Sequence, residues 1–385
     1  MRRPFAHAIC RAFPSLPRTI SNVRRLLLTL VLLILWPSSG AVGEETVRIA
    51  IAEGVSRVAL SGKGLQVRLL AEGERYADAR GGKSEVVHQK DGMYLDGARV
   101  TSPDGVRYRS ESIVQVSGKP VRGQIEVRPN GRGKLVAINV VPLEAYLHAV
   151  LGSEMPAYFP PEALKAQAVA ARTYALQKKI AAWGKPYHLG STVLHQVYGG
   201  TRAEDPRTRI AVDATRGEVL THQMDLVEAY FHSSCGGQTE SGSAALGRPL
   251  SYLKPVKCPC PDIAPVNWEK TFSAKQMAKL MKGLKDARIV EKTATGRANR
   301  IELRSGKTKK TISGVEFRQT LGYGELRSLF FQISKKGGAF TVKGKGFGHG
   351  AGMCQWGARR LAEKGKTYRE ILSHYYTGTE VMRIY

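Results

Sequence analysis

The segment Leu143-Glu144-Ala145-Tyr146-Leu147-His148-Ala149-Val150-Leu151-Gly152-Ser153-Glu154-Met155-Pro156 leaves the backbone little choice. Leu143, Leu147, Val150 and Leu151 recur at the i, i+4, i+7, i+8 spacing of a helix with one buried face. Pro156 lacks an amide proton and disfavours helical geometry in the residue before it, so the helix stops at or near that point. Eleven residues, about three turns, return Glu154 to the line of Leu143. A carboxylate there loses solvent and faces the negative end of the helix. Both effects lift its pKa above the ordinary value of about 4.3. A Glu that stays partly protonated near neutral pH suits a general acid. The competing expectation is a helix-terminal Glu that turns to water or pairs with a neighbouring Arg.

A second helix follows Pro160-Pro161, with Pro where the first turn tolerates it. Residues 162–175 are rich in strong helix formers, and Leu164, Ala168, Ala171 and Ala175 make a narrow stripe of small residues that lets another helix approach closely. Lys165 and Arg172, seven apart, flank that stripe. They are candidate substrate-binding cations, or else two solvated surface charges.

Upstream, Val47–Ile51 and Leu65–Leu70 alternate apolar and polar residues as strands do, between Gly-rich turns. Residues 122–141 read as a hairpin turning at Asn130-Gly131. Downstream, a helical stretch is expected from Ser273 to Leu284, short strands between Ala287 and Val342, and two short helices over Gln355–Lys364 and Tyr368–Tyr376. The expected organisation is an export signal at 1–43, a β-rich region at 44–118 and an α+β domain at 119–385. Helices pack on antiparallel β-structure in that domain, and 262–342 forms an insertion or subdomain within it.

The export reading rests on Arg24-Arg25, the apolar run from Leu26 to Trp36, and the small residues that follow Pro37. Eleven apolar residues are short for a membrane span, and an uncleaved anchor is the alternative. Membrane contact is therefore expected only through this segment. The chain has 385 residues with a formal net charge of +27. Such a charge favours polyanionic partners. Zinc-finger spacings and compact aromatic-basic motifs are missing, which argues against nucleic acid. Export shifts the argument toward an anionic cell-wall polymer.

Cys235, Cys258, Cys260 and Cys354 lie beyond the export segment, and an even count in an oxidising compartment suggests disulfides. A pairing of Cys235 with Cys258 or Cys260 is the expectation. His232, Cys235, Cys258 and Cys260 are the alternative, a Cys3His zinc set, although Cys-Pro-Cys is tighter than usual ligand spacing. No cofactor is otherwise expected. The alternating Gly346, Gly348 and Gly350 lack the βαβ context of a dinucleotide fingerprint. They are read as backbone lying close to a ligand or to the Glu154 helix, with His349 as a candidate hydrogen-bond donor to substrate or orienter of a carboxylate, or else held in a structural hydrogen bond.

Taken together, Val141-Pro142-Leu143-Glu144-Ala145-Tyr146-Leu147, Ser153-Glu154-Met155-Pro156, residues 162–174, residues 230–240 and residues 346–358 resemble the SpoIID/LytB family. The resemblance covers about residues 120–385. It implies a SpoIID-like catalytic domain acting on the glycan strands of peptidoglycan. Sporulation members are lytic transglycosylases that cleave the MurNAc–GlcNAc bond and leave a 1,6-anhydro end on strands stripped by a partner amidase. LytB-type relatives are described as amidase enhancers. The family's catalytic Glu falls on Glu154 and a basic residue of the second helix on Arg172, with Lys165 a weaker match. Gln355, in the last motif, is taken with His349 as substrate-binding. Some members bind zinc through Cys and His just after the second helix, where this chain has His188 and His195 but no Cys. A non-catalytic activator of an N-acetylmuramoyl-L-alanine amidase and a plain glycan-binding adaptor are the rival readings.

Overall fold

The computed structural model describes residues 45–385, apart from 72, 74, 132, 194 and 261–265. The export segment lies outside the described residues. Within them no helix is long and apolar enough to cross a membrane. The fold is α+β.

A seven-stranded sheet runs in the order Leu189–Gly190, Thr46–Val55, Leu135–Pro142, Gln124–Pro129, Val106–Arg109, Gln66–Leu69 and Ala77–Asp78. All neighbours are antiparallel except the first pair. A six-stranded antiparallel sheet from residues 57–121 packs against it. Thr46–Val55 pairs along its length with Leu135–Pro142, and one apolar core takes in Val58, Val86, Val127, Leu147 and Val169. The division expected at residue 118 is therefore not a structural break. The hairpin forms, but its turn spans 130–134, closed by Asn130 N–H to Lys134 O at 2.9 Å with Gly131 and Gly133 both at positive φ, rather than turning on two residues.

Helix α1, Leu143–Glu154, ends one residue before Met155, which is already extended. Helix α2, Pro161–Ala181, is buried almost all round, with Ala163, Leu164 and every residue from Ala166 to Leu176 enclosed. The small-residue stripe does receive neighbours, but they arrive on every side. They are α1, α3 (Pro206–Ala214), α4 (Gln355–Glu363), α5 (Tyr368–Tyr375) and strand Glu218–His222. Gly152 of α1 permits one of these approaches, because a Cβ there would sit 1.8 Å from the Ala203 carbonyl oxygen. That neighbour is backbone and cannot swing away. Gly152→Ala is expected to cost roughly 1–3 kcal/mol in urea unfolding by prising α1 from the 200–203 turn.

Residues 267–345 carry a separate apolar cluster around Phe272, Ile301, Phe317 and Val342, beneath two three-stranded antiparallel sheets. The helix expected over 273–284 shrinks to Ala274–Met277, opened by a Ser273–Gln276 capping box. A helix that the strand reading missed, Gly314–Leu321, is capped by Ser313. Strand Phe331–Lys336 follows it, and Ala339–Lys345 then leads into the glycine-rich loop.

Candidate active site

Glu154 is the last residue of α1, part-buried rather than sealed. Burial pushes its carboxyl up to about 7, against a backbone N–H from Val197 and the Gln355 side chain, which both favour the charged form. The Val197 N–H reaches Oε1 at 2.6 Å. That loop is pinned in turn: Gly199 N–H donates to Ser153 Oγ, and Gln196 bridges the Tyr146 hydroxyl and the Ala171 carbonyl. The Tyr146 and Tyr174 hydroxyls are held above the ordinary tyrosine range chiefly by burial, with the Glu154 charge adding to it. Among the described residues no cation pairs with Glu154 and no second carboxylate contributes to its shift.

Gln355 opens α4 and is buried, its amide 3.4 Å from Gln167 Oε1. Expected to bind substrate, it stands beside Glu154, where its side chain bonds to the carboxyl. Because Gln355 stabilises the carboxylate, Gln355→Leu is expected to raise the Glu154 pKa further, by about one unit. Carbon-13 NMR titration of the carboxyl reads this directly, and an unmoved midpoint would remove Gln355 from the site.

Arg172 is elsewhere, and the expectation that it binds substrate is corrected. Its side chain is fully enclosed. Nε and Nη2 each donate to Glu144 at 2.7 Å, while Nη1 and Nη2 also reach the carbonyls of Glu218 and Val212 at 3.1 Å. Lys165 shares that flank, paired with Glu162 at 2.7 Å and lying 5.9 Å from the Tyr368 ring centre. The face of α2 turned toward the acid carries Gln167 and Tyr174. Each lies two positions beyond the predicted cations, so roughly 200° round the helix.

His349 is also corrected. Its Nδ1 accepts the Ala351 N–H at 3.1 Å and its Nε2 faces the Phe231 carbonyl at 2.9 Å, so both nitrogens serve the loop. Burial lowers its pKa to about 4, keeping it neutral. His232 pairs Nδ1 with Ala351 O at 3.0 Å. It does not join the cysteines. Cys354 does instead, and the sulfurs of Cys235, Cys258, Cys260 and Cys354 all lie within 4.8 Å of one another, buried and free. His188 and His195, near the second helix, have lowered pKa values, chiefly through burial.

Sequence reasoning missed an aromatic ledge just past Pro156. Tyr158, Phe159 and Trp356 stack edge to face at 5.0–5.3 Å, and the Arg359 guanidinium lies over all three rings. Tyr158 is 61% exposed. Its signal was an aromatic pair directly after the Glu-Met-Pro turn. A hollow of about 1110 Å³ lies away from this site, between the two large sheets, lined by Leu60, Asp78, Arg80 and Arg202.

The family described as Stage II sporulation protein (SpoIID) matches residues 131–222, the stretch that carries α1, α2 and the Val197 loop. Stage II sporulation protein D of Bacillus subtilis is 35% identical over 262 residues, covering 64% of this chain and 76% of that protein. The chain belongs to the SpoIID/LytB family. An uncharacterized protein of Brachyspira hyodysenteriae is 32% identical over 286 residues, 72% of this chain and 77% of its own length. The amidase enhancer of Bacillus subtilis is 30% identical over 291 residues, 60% of this chain but only 40% of the enhancer. Residues 266–352 match a second family, a domain of unknown function. In this SpoIID/LytB chain that stretch takes in the two small sheets and the glycine-rich loop, and it stops two residues before Cys354.

Proposed function

We propose that this is an exported cell-wall enzyme, a peptidoglycan lytic transglycosylase in which Glu154 is the single general acid and base. The observation that carries the reading is a part-exposed carboxyl held near pKa 7 by burial, with no carboxylate partner among the described residues. At neutral pH a large fraction is protonated and can donate to the glycosidic oxygen of a MurNAc–GlcNAc bond. The resulting carboxylate then takes the proton of the C6 hydroxyl of the same sugar as that oxygen closes the anhydro ring. The substrate's N-acetyl group stabilises the positive centre in between. Water is not the nucleophile, so the second carboxylate of an ordinary glycosidase has no task here.

The Val197 N–H and Gln355 give the carboxylate two fixed donors when it returns to the charged form. The exposed Tyr158 ring at the edge of the ledge offers a flat apolar face for sugar C–H groups. The net charge of +27 suits an anionic wall polymer, and the Arg24-Arg25 and Leu26–Trp36 segment suits export.

The test is mass spectrometry of products from peptide-stripped peptidoglycan. Anhydro-ended fragments are expected, and reducing ends would mean hydrolysis by a missed water-activating group. The similarity to an amidase enhancer keeps a second reading in view, a glycan-binding activator of a cell-wall amidase. Faster amide cleavage by an added amidase, with no glycan cleavage, would favour that reading.

A further inference from the structure

Four cysteines from three separate stretches meet in one buried cluster. Cys235 follows strand Phe231–His232, Cys258 and Cys260 flank Pro259, and Cys354 ends strand Met353–Cys354 and caps α4. The two short strands pair in parallel, His232 opposite Cys354, which sets the Cys235 loop over the start of α4.

We propose that this cluster is a tetrahedral zinc site, with Cys235, Cys258, Cys260 and Cys354 as its four thiolate ligands. A tetrahedron of sulfurs about zinc at roughly 2.3 Å has edges of about 3.8 Å. The sulfurs here bracket that value, from 3.4 Å between Cys235 and Cys260 to 4.8 Å at most. Two disulfides would need the sulfurs sorted into two pairs at about 2.05 Å, with no reason for the pairs to converge. Here every sulfur is near every other, and Cys-Pro-Cys, awkward for a mutual disulfide, delivers two ligands from one turn.

The surroundings suit thiolates. The Cys235 and Gly357 N–H groups donate to Cys354 Sγ at 3.4 and 3.3 Å, and the Tyr375 hydroxyl lies 3.2 Å from Cys258 Sγ. Gly357 is where Cys258 and Tyr375 come closest to α4, since a Cβ there would stand 2.3 Å from that sulfur and 2.1 Å from that hydroxyl. Binding releases four thiol protons to solvent and leaves a net charge of −2 on the site. The buried Arg297 guanidinium, anchored on the Cys235 carbonyl at 2.8 Å and shared with the Glu240 carboxylate at 3.8 Å, is placed to offset part of it. Four sulfurs fill the coordination sphere, so the role is structural. The ion would tie the glycine-rich loop and the 258–260 turn to the first turn of α4, whose next residue after Cys354 is Gln355.

The experiment uses the full chain, purified from cells supplied with zinc, and measures bound metal by mass spectrometry of the elements alongside alkylation of thiols. About one zinc per chain is expected, with these four thiols protected until a chelator and denaturant are added together, and only Cys10 reacting before that where the export segment is retained. Cys260→Ser is expected to lower bound zinc to near none. Should that variant not fold, cobalt loaded into the wild-type chain supplies an independent readout, the visible bands of a tetrahedral cobalt thiolate. A chain lighter by four hydrogens and free of metal would carry two disulfides and overturn the proposal. Iron in place of zinc, or four reactive thiols with no metal, would also overturn it. None of these readings depends on glycan cleavage, so the zinc site and the catalytic reading stand or fall separately.

Discussion

Glu154→Gln is expected to lower the release of anhydro-ended glycan by roughly 10²–10⁴-fold while making the folded chain more stable above neutral pH. The substitution keeps the shape and the Val197 and Gln355 contacts but removes the mobile proton. The stability change follows from the same burial. Between the unfolded value near 4.5 and the folded value of about 7, the folded chain binds more protons at Glu154 than the unfolded one. Stability is therefore fully present below the unfolded value, falls as pH rises through that window, and stays lower above it. The uncharged amide escapes this loss, gaining at most about 3 kcal/mol above the folded value and nothing below the unfolded one. Calorimetry of both proteins at about pH 4 and about pH 8 reads the difference. Equal shifts at the two pH values would sink the burial argument even if activity were lost. Retained cleavage would sink the assignment of Glu154.

Arg172→Ala is expected to destabilise the chain by about 3–5 kcal/mol, because it strands the Glu144 carboxylate in the core. Glu144 is 3% exposed and keeps only the Tyr385 hydroxyl, at 2.5 Å, when the guanidinium goes. The loss also removes the guanidinium bonds to the Glu218 and Val212 carbonyls, although the latter keeps the Thr215 N–H and hydroxyl. A substrate-binding arginine would behave differently, raising KM on glycan with little effect on unfolding. Denaturant curves and KM together therefore separate the two roles. Glu144→Gln in the Arg172→Ala background is expected to recover part of the stability, since it removes the stranded charge.

The acid was legible because α1 is a local object. Its apolar spacing, its length and Pro156 fixed where Glu154 would sit and what it would lose to burial. Arg172 was misread because the same logic assumes a helix with a wet side. Nothing within residues 161–181 says that α3, α5 and Glu218–His222 will cover the flank carrying Lys165 and Arg172, since those contacts come from segments tens to hundreds of positions away. The cysteines fall between these cases. Their number and compartment pointed to cross-linking, and Cys-Pro-Cys warned against a mutual pair. Only the parallel pairing of Phe231–His232 with Met353–Cys354 reveals that the fourth member of the cluster is Cys354 and not His232. The Ser273–Leu284 helix is cut short although Met277, Leu280, Met281 and Leu284 keep helical apolar spacing: regular helix ends at Met277, Gly283 turns at positive φ, and those side chains reach the second apolar cluster from turns instead.

The Arg172–Glu144 pair has a consequence in time. Tyr385, which bonds to Glu144, lies 241 positions further along the chain. At 5–20 residues per second that interval lasts roughly 10–50 seconds of synthesis. The helix bearing Glu154 is complete long before Gln355 exists to stand beside its carboxylate, and before strand Glu380–Arg383 pairs with Glu218–His222. A nascent or prematurely ended chain therefore carries the acid without the surroundings that tune it. The setting that tunes Glu154 arrives late, from segments far along the chain from the motif that carries it.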